Sequence, residues 1–176
     1  WGLEMPTLVE NISGKKVVLV DHTDPEQRPI GWENAEIIEV LDHHKLKIEK
    51  DSLPQLTIRQ YGSTSTLVAQ KMINKGVKLD SKLAGLMLSA LLDDTLALRS
   101  PITTEIDKQI ADYLAEEAGL TDISALVKEQ FSQKDVWDQM SAEKACTADS
   151  KNYEIGDKKV RLTQIETMDN SRFTDK

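Results

Sequence analysis

The run Ala35-Glu36-Ile37-Ile38-Glu39-Val40-Leu41 ends abruptly in Asp42-His43-His44. A short segment rich in β-branched residues and bounded by polar ones reads as a strand, here a buried parallel one. A second run of the same make, Lys15-Lys16-Val17-Val18-Leu19-Val20, leads into Asp21-His22. In an open α/β sheet, residues just past the carboxyl ends of the strands line the ligand crevice. Two neighbouring strands with these ends aim carboxylates and imidazoles into one cleft. All three histidines of the chain stand in these two strand ends. The plainer alternative, each Asp capping a turn and each His merely polar, suits His22 taken alone better than it suits the whole set.

Outward from these strands the chain keeps an α/β layout. Leu56-Thr57-Ile58-Arg59-Gln60 alternates as a strand does. Gly62-Ser63-Thr64 opens a helix with Leu67, Val68, Met72 and Ile73 at helical spacing, and Gly76 stops it. A second helix is expected from about Ser81 to Leu98, apolar on most faces and so buried. A third starts near Thr103 or Thr104, where Thr104 and Asp107 resemble a capping box, and closes at Gly119. Asp122 caps a further helix through Phe131. Tyr153-Glu154-Ile155, a Gly156-Asp157 turn and Val160-Arg161-Leu162-Thr163-Gln164-Ile165 make a β-hairpin. The expected fold is α/β, a mainly parallel sheet flanked by helices over residues 1–131. A polar linker or hinge comes next at 132–142, then the start of a second α/β domain over 143–176.

Composition bounds the function. The chain has 176 residues, 30 acidic against 22 basic, a net charge of −8 and 39% apolar residues. That is enough apolar matter for a core and argues against wholesale disorder. The charge argues against a nucleic-acid binder, which carries a basic face. It does not argue against an anionic substrate, because bound metal ions invert the sign of a local site. One cysteine, Cys146, excludes an internal disulfide framework and fits a reducing, cytoplasmic setting. The longest apolar run, Leu83 to Leu92, is broken by Gly85 and Ser89 and is too short to span a membrane. No signal peptide is visible at the start of the chain.

Asp93-Asp94 is the odd feature of the second helix. Both lie in Leu91-Leu92-Asp93-Asp94-Thr95-Leu96, among apolar side chains. Burying an ionised carboxylate without a partner is costly, so such groups neutralise, pair or bind metal. A local salt bridge to Arg99 is the bland reading. Set beside the two strand ends, a metal-ligand role is the stronger one. Imidazole with several carboxylates suits a divalent ion such as Mn²⁺.

These motifs resemble the DHH phosphoesterase superfamily. Tyr61-Gly62-Ser63-Thr64-Ser65-Thr66 and the segment from Ala90 through Asp94 and Arg99-Ser100-Pro101 to Thr104 narrow the resemblance to the family II, manganese-dependent inorganic pyrophosphatases. Asp149-Ser150-Lys151-Asn152-Tyr153-Glu154-Ile155 with Val160 to Glu166 resembles the opening of their second domain, of the DHHA2 type. The resemblance implies hydrolysis of inorganic pyrophosphate to two phosphates by water activated between two metal ions. The implied cofactor is Mn²⁺, with Co²⁺ or Mg²⁺ as alternatives and two or more ions per site. By position, Asp21 is the metal-bridging and catalytic carboxylate, and His43 and Asp94 ligate metal. His44 contacts the phosphate and serves as an acid, and Lys151 grips pyrophosphate from the second domain. Asp42 orients the histidines from behind. His22 and Asp93 receive no role, and Arg99 stands where many relatives have lysine, which alters donor geometry.

The resemblance implies neither a nucleic-acid nor a membrane partner, and it leaves room for a homodimer. Two departures matter. The family's opening strand with His-x-x-Pro-Asp-x-Asp is absent, and so is most of its second domain. The expectation is therefore a partial chain, uncertain to act alone. The competing readings are an exopolyphosphatase or small nuclease of the same superfamily, and a non-catalytic metal- or phosphate-binding remnant.

Overall fold

The computed structural model describes residues 1–45, 54–134 and 139–165. The chain divides into two compact units, Trp1–Ile123 and Ser124–Lys176. The division lies before the fourth helix, whereas the sequence suggested a boundary after it, near 131. Residues 135–138 of the expected linker, and 166–176 of the expected second domain, lie outside the described residues.

The first unit holds a three-stranded sheet in the order β1-β2-β3: β1 (Lys16–Val20), β2 (Glu36–Asp42) and β3 (Gln55–Ile58). All pairings are parallel, with Val20 opposite Leu41 and Asp42 opposite Ile58. The carboxyl ends of β1 and β2 are thus side by side, which is what brings Asp21 next to His43 and His44. Leu19, Ile37 and Val40 form a buried cluster with Val17 and Ile58 packed against it. Expecting both strands to be buried was half right. β2 is buried at its carboxyl end, whereas Val18 and Val20 of β1 are more than two-fifths exposed, as the alternating faces of an edge strand require.

Helix α1 (Thr64–Asn74) packs on β2, and α2 (Ser81–Asp94) and α3 (Glu105–Glu117) pack on α1 and on each other. Each starts on a side-chain cap. Ser63 accepts from the Ser65 N–H, Asp80 accepts from the N–H groups of Lys82 and Leu83, and Thr104 forms the expected capping box with Asp107. Leu88, Leu91, Leu92 and Leu114 have no exposed surface and make the centre of the helical layer. The N-terminal segment, unassigned from sequence, is pinned at Trp1. Its indole lies against Gly85, where any Cβ would meet the ring at 2.5 Å, and donates to Ser89 Oγ at 3.0 Å.

Helix α2 ends at Asp94, four residues short of the expected Leu98. The Leu96 N–H donates to the Asp93 carbonyl at 3.1 Å and the Ala97 N–H to the Leu92 carbonyl at 2.7 Å. This is the Schellman closure, which places a left-handed residue just past the helix end. Leu96, Ala97 and Leu98 all carry positive φ, 49°, 56° and 64°. No glycine marks the reversal, so apolar periodicity runs straight through it.

The second unit contains α4 (Ser124–Lys134), α5 (Ala142–Ala148) and an antiparallel hairpin, β4 (Ser150–Ile155) with β5 (Lys158–Thr163). The hairpin turns at Gly156-Asp157 as expected, with Gly156 at φ 63°.

Candidate metal centre

Asp21 is the first residue past β1, held by its N–H donating to the Leu41 carbonyl at 3.0 Å. Its φ of 68° is unusual for a residue with a side chain, though Asp tolerates it better than most. One ligand atom each of Asp21, His43 and His44 lies within 4.8 Å of the others. His43 Nε2 stands 3.5 Å from Asp21 Oδ1. The His43 side chain is 8% exposed, against 53% for Asp21 and 56% for His44, so the group has a sheltered back and an open mouth.

The histidines are oriented by their other nitrogens. His43 Nδ1 donates to the Tyr61 carbonyl at 2.9 Å, which leaves the Nε2 lone pair facing Asp21. A ring held by a backbone acceptor on one side and bare on the other is the arrangement of a metal ligand. His44 differs. Its Nδ1 lies 2.8 Å from Asp42 Oδ1, so Nε2 is the nitrogen left for another partner. Asp42 is fully buried, and the same Oδ1 accepts the backbone N–H groups of His43 at 2.7 Å and His44 at 3.0 Å. Its Oδ2 is buried with no partner among the described residues.

Asp94 approaches from α2. Ser63 Oγ donates to its Oδ2 at 2.6 Å. Burial raises the Asp94 pKa above the ordinary carboxylate value, and the charges of Asp21 and Asp93 add to the rise against the opposing pull of Ser63 and His43. Asp94 therefore feels both Asp21 and His43, although its oxygens are not within the tight three-residue group. A bound cation would relieve the crowding of negative charge around Asp94. Two carboxylates and a bare imidazole nitrogen are a fitting donor set for a divalent transition ion.

The structure thus gathers Asp21, His43 and His44, sets Asp42 behind them and Asp94 beside them. Lys151 is exposed on β4 in the second unit. His22 stays out of the group: its Nδ1 is 3.1 Å from the Val20 carbonyl, and its Nε2 is buried without a partner among the described residues. Sequence reasoning gave Tyr61 and Ser63 a place in a motif but neither of them a task. A backbone carbonyl leaves no trace in residue type. Ser63 could have been found, since a helix cap with a second lone pair and proton is free to serve another group.

An α/β protein with a carboxylate and imidazole cluster at adjacent parallel strand ends is the class that fold and site define. No protein-family model matches the chain. The chain is 33% identical over 184 residues to the manganese-dependent inorganic pyrophosphatase of Methanocaldococcus jannaschii, covering 100% of this chain and 60% of that relative. It is 35% identical to the cobalt-dependent inorganic pyrophosphatase of Clostridium perfringens, over 90% of this chain and 29% of that protein. A crystal structure described as a family II inorganic pyrophosphatase from Methanococcus jannaschii superposes with a TM-score of 0.78 at 33% identity, covering 97% of this chain and 59% of that one. The chain is thus similar along nearly its whole length to proteins named inorganic pyrophosphatases, and it spans at most about three-fifths of the length of these relatives.

Proposed function

We propose that this chain carries the metal-holding part of a site that hydrolyses inorganic pyrophosphate. The observation that carries the reading is the meeting of Asp21 with His43, whose Nε2 is left bare by the Tyr61 carbonyl. The names of the relatives support Mn²⁺, with Co²⁺ as an alternative, and support pyrophosphate as the substrate. Divalent ions bound there would activate water and neutralise charge on the phosphate oxygens. Asp21, His43 and Asp94 would hold those ions, two carboxylates and the bare imidazole nitrogen supplying the donors. His44, with Nδ1 held by Asp42, presents Nε2 to the substrate and holds the proton that a leaving phosphate takes up. Lys151 is the cation that grips pyrophosphate.

Among the described residues no helix is long and apolar enough to cross a membrane. A cytoplasmic setting is part of the proposal, supported by the free, exposed Cys146. The net charge of −8 supports a small phosphoanhydride over a nucleic acid.

Hydrolysis of pyrophosphate and tripolyphosphate, followed as released phosphate, and of a dinucleotide, followed as released mononucleotide, each with Mn²⁺, tests the reading. The expected result is release from pyrophosphate above the other two, lost in Asp21→Ala. Faster release from the dinucleotide or tripolyphosphate would overturn the substrate. Binding of Mn²⁺ with no release from any of them would reduce the chain to a metal- and phosphate-binding module.

A further inference from the structure

The capping box of α3 asks of Asp107 only that it meet Thr104. Asp107 does more. It is fully buried, and Oδ1 accepts from the Thr66 hydroxyl at 2.6 Å while Oδ2 accepts from the Gly62 N–H at 2.8 Å. Oδ2 also takes the Thr104 N–H and hydroxyl, both at 2.7 Å. The carboxylate therefore ties the start of α3 to the segment 61–66, more than 40 residues away in sequence. Both flanks of Gly62 support the metal centre: the Tyr61 carbonyl holds His43 Nδ1, and the Ser63 hydroxyl holds Asp94. Gly62 itself is clamped. A Cβ there would meet Thr95 Cγ2 at 2.7 Å and Asp107 Oδ2 at 3.0 Å, and Thr95 is the residue next to Asp94.

We infer that Asp107 is a positioning residue for the metal centre, fixing Gly62 so that the Tyr61 carbonyl and the Ser63 hydroxyl aim His43 and Asp94. Backbone and hydroxyl donors outnumber what a helix cap needs, and they hold the Asp107 pKa below the ordinary value although burial alone would raise it. A carboxylate that accepts four hydrogen bonds on two oxygens is a rigid pin. The centre's two outer partners lie on either side of that pin, so a shift at Gly62 moves both. Supports of this kind change metal affinity when they are disturbed.

The inference rests on the metal-centre reading above, and its test separates the two. Mn²⁺ affinity is measured from the free-ion paramagnetic resonance signal, at a temperature where circular dichroism shows every variant folded. Asp107→Asn keeps the size but removes the charge that strengthens all four bonds, and its amide opposes the Gly62 N–H unless the Thr66 hydroxyl turns to accept from it. It is expected to weaken Mn²⁺ binding about 10-fold. Ile110→Val loosens the same helix without touching the carboxylate, and is expected to keep wild-type affinity. In a Ser63→Ala background Asp107→Asn is expected to cost less than it does alone, because part of its route to Asp94 is already cut. Folded Asp107→Asn with wild-type Mn²⁺ affinity, or full additivity with Ser63→Ala, would overturn the inference. If Asp107→Asn does not fold, Gly62→Ala takes its place under the same expectation, and wild-type affinity there overturns it. A wild-type chain that binds no Mn²⁺, or binds it equally well as Asp21→Ala, is a failure of the metal-centre reading instead.

Discussion

At Asp94 the fold and the site pull in opposite directions. Its carboxyl group is raised in pKa first by burial and then by the negative neighbours Asp21 and Asp93. A folded value above the ordinary 3.8 means that the metal-free protein loses stability as pH rises through the folded value. Removing the charge should then help the empty protein and harm the loaded one. Asp94→Asn is expected to raise the melting temperature slightly at pH 7 in chelator and to lose most of the rise that Mn²⁺ gives the wild type. For a site filled at about 100 times its Kd that rise corresponds to roughly 2.7 kcal/mol. Differential scanning calorimetry with and without Mn²⁺ reads both halves, and a variant less stable in chelator would contradict the first. Ser63→Ala, which removes the 2.6 Å hydrogen bond to Asp94, is expected to weaken Mn²⁺ binding about 10-fold while α1 also loses its cap. Full wild-type affinity in that variant would show that the serine is a cap and nothing more.

Two elements carry strain or burial that their own sequence does not announce. The three left-handed residues after α2 set the exit of the chain from Asp94, with the buried Thr95 hydroxyl accepting the Leu98 N–H at 3.2 Å and donating to the Leu91 carbonyl at 2.7 Å. The left-handed penalty of roughly 1–2 kcal/mol per residue exceeds the roughly 0.5–1 kcal/mol entropic cost of glycine. Ala97→Gly is thus expected to stabilise the protein by up to about 1 kcal/mol in urea unfolding. A clear loss would contradict the left-handed turn. At the start of α3, hydrogen bonds hold Asp107 below the ordinary 3.8. Its contribution is therefore complete above that value and fades as pH falls through the folded one. The stability gap between wild type and Asp107→Asn should be wide at pH 7 and narrow towards pH 3, as read by denaturant midpoints. A gap that widens on acidification would contradict the assignment.

Across the whole molecule, legibility tracked how local each signal was. The strand ends at Asp21 and at Asp42-His43-His44 were plain because β-branched runs and turn residues mark them within a few positions. The helix start at Gly62-Ser63-Thr64, the cap at Thr104 and the turn at Gly156 were equally local. The end of α2 was misread because a left-handed turn built without glycine is invisible to periodicity. The tasks of Tyr61 and Asp107 were hidden for another reason. One acts through a carbonyl that every residue owns, and the other reaches across 41 to 45 residues to Thr66 and Gly62. The boundary between the units also shifted, because α4 groups with α5 and the hairpin in the second unit. The central claim is that Asp21, His43 and Asp94 bind a divalent ion. Isothermal titration of the 176-residue chain with Mn²⁺ tests it most directly, with Asp21→Ala run alongside. Saturable binding in the wild type that vanishes in Asp21→Ala is the predicted result; no binding heat, or equal binding by both proteins, would contradict it.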